Sequence, residues 1–406
     1  MSEAGAFKNI PGGVTAPQGF LASGVPAGLK KNGSPDLALI FSREPASAAG
    51  VYTTNQVKAA PLELTRSRVE QGTAQAVIVN AGNANACTGA GGISDARAMA
   101  HSAASALSIP EEYVLVASTG VIGVPLPVDK IITAVPQAVT ELSRENHTAA
   151  SRAIMTTDLM PKEYAVQVQI KNKTVTIGGM AKGSGMIHPN MATMLCFITT
   201  DALISGEVLQ KTLKRAVDRS FNMITVDGDT STNDMVAALA NGTAGNPEII
   251  QDTEDYRRFY GALLEVCTAL AKMIARDGEG ATRLIEVNVT GAPAKTDAGL
   301  AARAVAGSNL FKAAVFGKDA NWGRILCALG YSGATFDPTQ ADIFIGDVQV
   351  ASNGGALEFD EERAAEMLSR DPVRIYVDLK SGPYSATAWG CDLTYDYVRI
   401  NGSYRT

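Results

Sequence analysis

The stretch richest in chemistry is Met180-Ala-Lys-Gly-Ser-Gly-Met-Ile-His-Pro-Asn-Met-Ala-Thr-Met-Leu-Cys-Phe-Ile-Thr-Thr-Asp201. A glycine-rich run leads through His188, Pro189 and Asn190 to Ala192 and Thr193, and an apolar strand candidate follows over 194–198. A hydroxyl at the border of a loop and a buried strand is placed for intramolecular attack. The Thr193 hydroxyl would add to the Ala192 carbonyl, giving an ester that water then opens. The α-amine freed on Thr193 would serve as general base for its own hydroxyl, because its unperturbed pKa of about 7.7–8 lies near working pH. Spacing alone equally describes a loop entering a core strand with an incidental threonine.

Other residues carry a second meaning in the same way. Thr119 and Gly120 follow the strand candidate 114–117, where a strand-ending turn is the ordinary reading. Lys182 in an apolar-flanked loop is ordinarily a solvated charge, and Glu279 between two glycines is ordinarily an acid near a helix end. His188 is either a base or a turn-stabilising residue. Asp227, Asp229 and Ser231 imitate the first three ligands of a calcium loop, but Thr232 stands where glycine is needed and Ala238 where glutamate is needed. A hydrogen-bonded structural loop is the better reading, and no metal is expected. Gly183-Ser184-Gly185 is too short for a nucleophile elbow, which weakens a Ser184–His188 hydrolase. The glycine loop over 80–92 lacks both the P-loop ending and the dinucleotide pattern, so no nucleotide cofactor is expected.

These groups need a scaffold. The run 76–79 reads as an apolar strand, and Ser94 is expected to cap a helix burying Ala96, Met99, Ala100, Ala103 and Leu107. Ser205 precedes a helix with Val208, Leu209, Leu213 and Val217 on one face. A longer helix is expected over 253–276, ended by Asp277-Gly278. Ile285, Val287 and Val289 alternate with polar residues as a half-buried strand does, and so do Val373, Ile375, Val377 and Leu379. The segment 392–400 reads as a strand that ties down the C-terminal tail. Interspersed helices and strands with short turns point to an α+β arrangement of layered sheets covered by helices.

The whole chain bounds the function. Its 406 residues are 46% hydrophobic and 19% charged, with a net charge of −6 and no basic run, which disfavours nucleic acid. No apolar run approaches the roughly 20 residues of a membrane span, and the first residues lack the pattern of a signal peptide. Five scattered cysteines without a CxxC pair suggest buried, reduced thiols and a cytoplasmic setting.

The segment from Lys182 to Leu195 closely resembles the processing site of the ornithine acetyltransferase/glutamate N-acetyltransferase family of arginine biosynthesis. Further matching pieces run along essentially the whole chain: Asn80-Ala-Gly-Asn-Ala-Asn, Ala117-Ser-Thr-Gly-Val-Ile-Gly123, Met155-Thr-Thr-Asp158, the run from Asn222 to Asp234, Ala275-Arg-Asp-Gly-Glu-Gly280, Gly317-Lys-Asp-Ala-Asn-Trp-Gly-Arg324 and Asn401-Gly-Ser-Tyr-Arg-Thr406. The resemblance implies a layered α/β sandwich of the aminopeptidase-like, N-terminal-nucleophile kind. It implies a cut between Ala192 and Thr193 into chains 1–192 and 193–406 that stay together as α2β2. The implied reaction moves acetyl from N-acetylornithine to glutamate through an acetyl-threonine at Thr193, with acetyl-CoA as a possible further donor and no cofactor. By the same resemblance Thr119 and Gly120 form the oxyanion hole, and Thr156 (or Thr157), Lys182, Glu279, Asn401 and Thr406 hold the substrate. A self-processing amidohydrolase or aminopeptidase would share Thr193 but release its product to water. Lys182 and Glu279, suited to an amino acid with both charges, favour the transferase.

Overall fold

The computed structural model describes residues 7–188 and 194–403. Ala192, Thr193 and Thr406, expected at the cut and in the substrate pocket, lie outside the described residues. Among those described, the strands form a nine-stranded and a six-stranded sheet, so the expected layered α/β arrangement is what the chain adopts.

In the larger sheet the path runs Lys8–Ile10, Lys162–Ile170, Lys173–Lys182, Leu195–Thr200, Met235–Ala240, Leu37–Tyr52, Thr73–Asn83 and Val114–Val121, with Phe20–Val25 paired to Leu37–Tyr52. Leu195–Thr200 and Met235–Ala240 are parallel to each other and sit inside this path. Lys173–Lys182 pairs antiparallel with Leu195–Thr200 in a register that sets Lys182 opposite Leu195. The segment expected to be cut is therefore the connection between two neighbouring strands.

The smaller sheet has Leu284–Ala292 between Val373–Asp378, parallel to it, and Tyr384–Cys391, antiparallel. Ile285, Val287 and Val289 are buried as their alternation requires. The helix Glu254–Arg276 lies between the sheets, touching strands of both. Its N-terminus is set by Thr253, whose hydroxyl accepts the Tyr256 amide at 3.2 Å, and Leu263, Val266, Cys267, Leu270 and Ile274 form the buried stripe. Ser205 caps Gly206–Val217 in the same way.

Three expectations are corrected, two about elements and one about the cysteines. The helix expected to begin at Ser94 starts at Ala90, because Gly89 at φ +63 makes the turn assigned to the serine. The stretch 392–400 is not a strand: Tyr395–Ser403 is a helix, and the Thr394 hydroxyl accepts the Asp396 amide at 3.2 Å at its start. Tyr395 and Val398 point to solvent there, so this segment does not present a buried strand face. Cys196, Cys267 and Cys391 are buried free thiols, but Cys87 and Cys327 are exposed. No helix among the described residues is long and apolar enough to cross a membrane.

Candidate functional site

A pocket of about 720 Å³, solvent at its mouth included, gathers Thr119, Gly120, Thr156, Thr157, Lys182, Glu279 and Asn401 from positions hundreds of residues apart. Every expected site residue that the structure describes is thus in one place. Asp227, Asp229, Ser231, Asn233 and Tyr397 complete much of its wall.

Strand ends bring the first group there. Thr119 and Gly120 are not in a loop after the strand, as expected, but are its own last turnings: the strand runs Val114–Val121 and pairs in parallel with Thr73–Asn83 as far as Asn83. Gly120 has φ +133, and a Cβ there would collide with the backbone of Gly82 and Asn83, so the close strand approach requires glycine. Lys182 is likewise not a solvated loop charge. It ends the strand Lys173–Lys182, is 3% exposed, and donates from Nζ to Thr119 Oγ1 at 3.2 Å.

A buried lysine must be neutralised nearby. Burial pulls the Lys182 ammonium below its usual range, and Asp158, Asp234 and Glu279 oppose that pull. Asp158 is the hub. Its Oδ1 accepts from Lys162 Nζ at 2.6 Å and from the Gly183 amide at 2.7 Å, while Oδ2 accepts the Thr156 amide at 3.0 Å. Burial works to raise the Asp158 carboxyl, but Lys182 and Lys162 prevail and hold it at about 2. Lys162 also reaches Asp277 Oδ2 at 2.6 Å. Asp158 therefore fixes both Thr156 and the turn that follows Lys182.

Glu279 follows the long interior helix, whose C-cap is Asp277. The Glu279 amide donates to the Ser184 carbonyl at 3.1 Å, the Ser184 hydroxyl donates to the Asp277 carbonyl at 2.6 Å, and Asn401 Nδ2 donates to Glu279 Oε2 at 2.7 Å. A Cβ on Gly185 would run into the Glu279 carboxylate, which explains that glycine. Burial, Asp227 and Glu279 push the Tyr397 hydroxyl far above its ordinary range, so it stays a neutral donor or acceptor on the wall.

Ser184 and His188 do not pair. His188 Nδ1 lies 3.1 Å from Thr225 Oγ1, and burial and the Arg303 charge lower its pKa, as suits a turn-stabilising neutral ring. The loop with calcium-like spacing instead uses Asp227 to accept the Met186 and Ile187 amides at 2.6 and 2.9 Å. Sequence reading missed Asp158, Lys162 and Asp277 as a charge cluster. The only local hint was the Asp158–Lys162 spacing, and Asp277 lies more than a hundred residues away.

The pocket puts a hydroxyl and an ammonium beside the Gly120 strand end, and a carboxylate and an amide opposite. With Lys182 and Glu279 in one pocket, the lining suits a small molecule carrying both charges. The chain belongs to the ArgJ family, whose match covers residues 21–406, and with it to the acyltransferases of arginine biosynthesis. The arginine biosynthesis bifunctional protein ArgJ of Symbiobacterium thermophilum is 60% identical over 399 residues, 98% of this chain and 99% of the relative. Its namesake from Caldanaerobacter subterraneus subsp. tengcongensis is 53% identical over 401 residues, 98% and 99% of the two chains. A crystal structure of the ArgJ protein of Bacillus halodurans is similar at 51% identity and a TM-score of 0.51, covering 51% of this chain and 98% of that one.

If Thr119 supplies an oxyanion donor, Thr119→Val should lower kcat by about 10²–10³ with little change in the donor KM. An unchanged kcat in steady-state assays would remove Thr119 from the reaction.

Proposed function

We propose that this enzyme transfers acetyl from N2-acetylornithine to glutamate through an acetyl-Thr193 intermediate, after cutting itself between Ala192 and Thr193. The observation that carries this reading is the pairing of Lys182 with Thr119 at 3.2 Å in the pocket that also holds Glu279 bound to Asn401 at 2.7 Å. In the cut, the Thr193 hydroxyl oxygen adds to the Ala192 carbonyl carbon, the C–N bond breaks, and the hydroxyl proton ends on nitrogen. Water then cleaves the ester, restoring the hydroxyl and leaving a carboxylate on Ala192.

In the transfer, the Thr193 amine takes the hydroxyl proton as the oxygen attacks the acetyl carbon. Thr119 and Gly120 stabilise the tetrahedral oxygen, and the amine proton passes to departing ornithine. Lys182 pairs with the substrate carboxylate, Glu279 with its amino group, and Thr156, Asn401 and Thr406 complete the binding. Glutamate then attacks the ester and returns Thr193 to its free form. No cofactor enters these steps, and acetyl-CoA would act as a second acetyl donor.

Two features support the two-chain form, 1–192 and 193–406. The solved Bacillus halodurans chain is covered to 98% by only 51% of this chain, so it is about half as long. Leu195–Thr200 and Met235–Ala240 also sit between strands of the first half, so a cut would leave both pieces interleaved in one sheet. An α2β2 assembly in the cytoplasm follows from the same reading.

The kinetic test is two-substrate. A covalent carrier gives parallel double-reciprocal lines when N-acetylornithine and glutamate are varied, and donor alone leaves acetyl on the peptide beginning at Thr193. Intersecting lines with no trapped acetyl would overturn the mechanism.

A further inference from the structure

A second, wider cavity opens against the smaller sheet. It is about 1390 Å³, solvent at its mouth included, and Met223, Leu264, Leu300 and Trp389 give it an apolar floor. Trp389 is pinned there by its Nε1, which donates to Glu286 Oε2 at 2.9 Å. Three cations stand on the wall: Arg219, Lys295 and Arg303. Lys295 and Arg303 lie two turns apart on one face of the helix Lys295–Gly307, with Gly299 midway. A Cβ on Gly299 would come within 3.5 Å of the Arg303 guanidinium, so the glycine keeps the space between the two charges open. Among the described residues none of the three cations forms an ion pair. Half-buried Arg303 donates to the Met223 sulfur at 3.5 Å, and Arg219 to the Tyr260 hydroxyl at 3.3 Å. Asp218 is also on the wall, but its oxygens are taken, Oδ2 by Lys214 Nζ at 2.7 Å and Oδ1 by Asn222 Nδ2 at 3.0 Å. Burial lowers the Arg303 guanidinium below its ordinary range, and burial with the charges of Arg219 and Arg215 does the same to Lys295, against Asp218. Cations withdrawn from water without a counter-charge are costly, and a bound anion relieves that cost.

We propose that this cavity binds a phosphate-bearing organic anion of nucleotide size, its phosphates on Arg219, Lys295 and Arg303 and its apolar part over Met223 and Trp389. Two guanidiniums and an ammonium around one space call for more negative charge than one carboxylate carries, and guanidinium forks match phosphate oxygens. The catalytic pocket, about 720 Å³ on the same measure, has Lys182 as the cation of its lining and suits a smaller ligand. No glycine-rich phosphate loop is required here, because side-chain cations take the place of backbone amides. The two cavities share a wall. Met223 lines this one and Asp227, four residues on, lines the catalytic one, so the two positions are at most about 14 Å apart. Between them the Thr225 amide donates to the Trp389 carbonyl at 2.9 Å, and the Thr225 hydroxyl lies 3.1 Å from His188 Nδ1. Two sources carry this ligand chemistry: the nucleotide end of acetyl-CoA, and a free nucleotide without an acyl arm. The site rests on the cavity alone; the first source rests also on the proposed use of acetyl-CoA as a donor.

Calorimetric titration of CoA, ADP and inorganic phosphate into the whole enzyme is the test. CoA and ADP should bind saturably, compete with each other and weaken as salt is raised. Arg303→Met, which keeps an apolar stem and removes the charge, should weaken both roughly 10–100-fold. Lys295→Glu reverses a charge at the exposed rim, where folding is spared, and should weaken them about 10-fold or more. It keeps the test open should Arg303→Met fail to fold. Initial rates separate the sources. Variants that raise the KM for acetyl-CoA and leave that for N-acetylornithine unchanged show that the site serves the acyl donor. Variants that lose ADP binding with both KM values unchanged show that it takes a free nucleotide. No saturable binding of CoA or ADP below about 1 mM, or binding that the folded variants leave untouched, overturns the assignment. Binding of inorganic phosphate with no greater affinity for CoA or ADP overturns it too. A wild-type enzyme that uses N-acetylornithine but not acetyl-CoA would remove the second donor from the proposed function, while the ADP titration still decides this site.

Discussion

Replacing Thr193 by alanine is expected to leave one uncut chain of 406 residues without acetyl transfer. The same oxygen is needed twice in the proposed chemistry, first against the Ala192 carbonyl and then against the acetyl group, so no partial function survives its loss. Removing a covalent nucleophile from a preorganised site costs roughly 10⁴-fold or more in kcat. Wild-type protein should give two bands on a denaturing gel, and sequencing of the C-terminal piece should begin Thr193-Met194-Leu195. Thr193→Ser, which keeps an oxygen in place, should recover part of both activities. An alanine variant that is cut, or that transfers acetyl at a rate near wild type, would sink the mechanism.

The second large effect falls on stability. Lys162 is fully buried between Asp158 and Asp277, with both contacts at 2.6 Å. Lys162→Met fills the space but removes the cation between two buried carboxylates, leaving Lys182 to act on Asp158 without it. Breaking a buried pair from one side costs about 3–5 kcal/mol. In this large chain the melting temperature should fall by about 4–6 °C. The pH dependence carries a sign. Asp158 is held at about 2 in the folded protein, below its unfolded value, so its stabilisation is present above about pH 4 and disappears as pH falls through about 2. That shift corresponds to roughly 2–3 kcal/mol. Without Lys162 the Asp158 carboxyl rises, so the variant should lose stability at a higher pH than wild type. Thermal scans from pH 3 to pH 7 read both effects. A variant melting within about 2 °C of wild type across that range would show that Lys162 is not the counter-charge the contacts suggest.

Activity and stability meet at this cluster, since Asp158 also holds the Thr156 and Gly183 amides. A change at Lys162 should therefore reach the pocket through the position of Lys182.

Local sequence determined those elements whose cause is local. Thr253 and Ser205 start their helices because a side-chain oxygen meets an amide three residues on. Ile285, Val287 and Val289 form one buried face because strand periodicity is two. The family-like motifs named Thr119, Gly120, Thr156, Lys182, Glu279 and Asn401, and all six line one pocket. Tertiary structure alone decided the rest. Whether Lys182 is solvated or buried depends on Asp158 and Thr119, which lie 24 and 63 positions away, and no spacing rule reaches that far. The segment 392–400 reads as a strand in sequence, yet from Tyr395 it closes into a helix. Asp234 reads in sequence as one more acid of a polar loop. Only the folded chain puts one of its oxygens on the Met194 amide, because burial and hydrogen-bond satisfaction are properties of the surroundings and not of the residue.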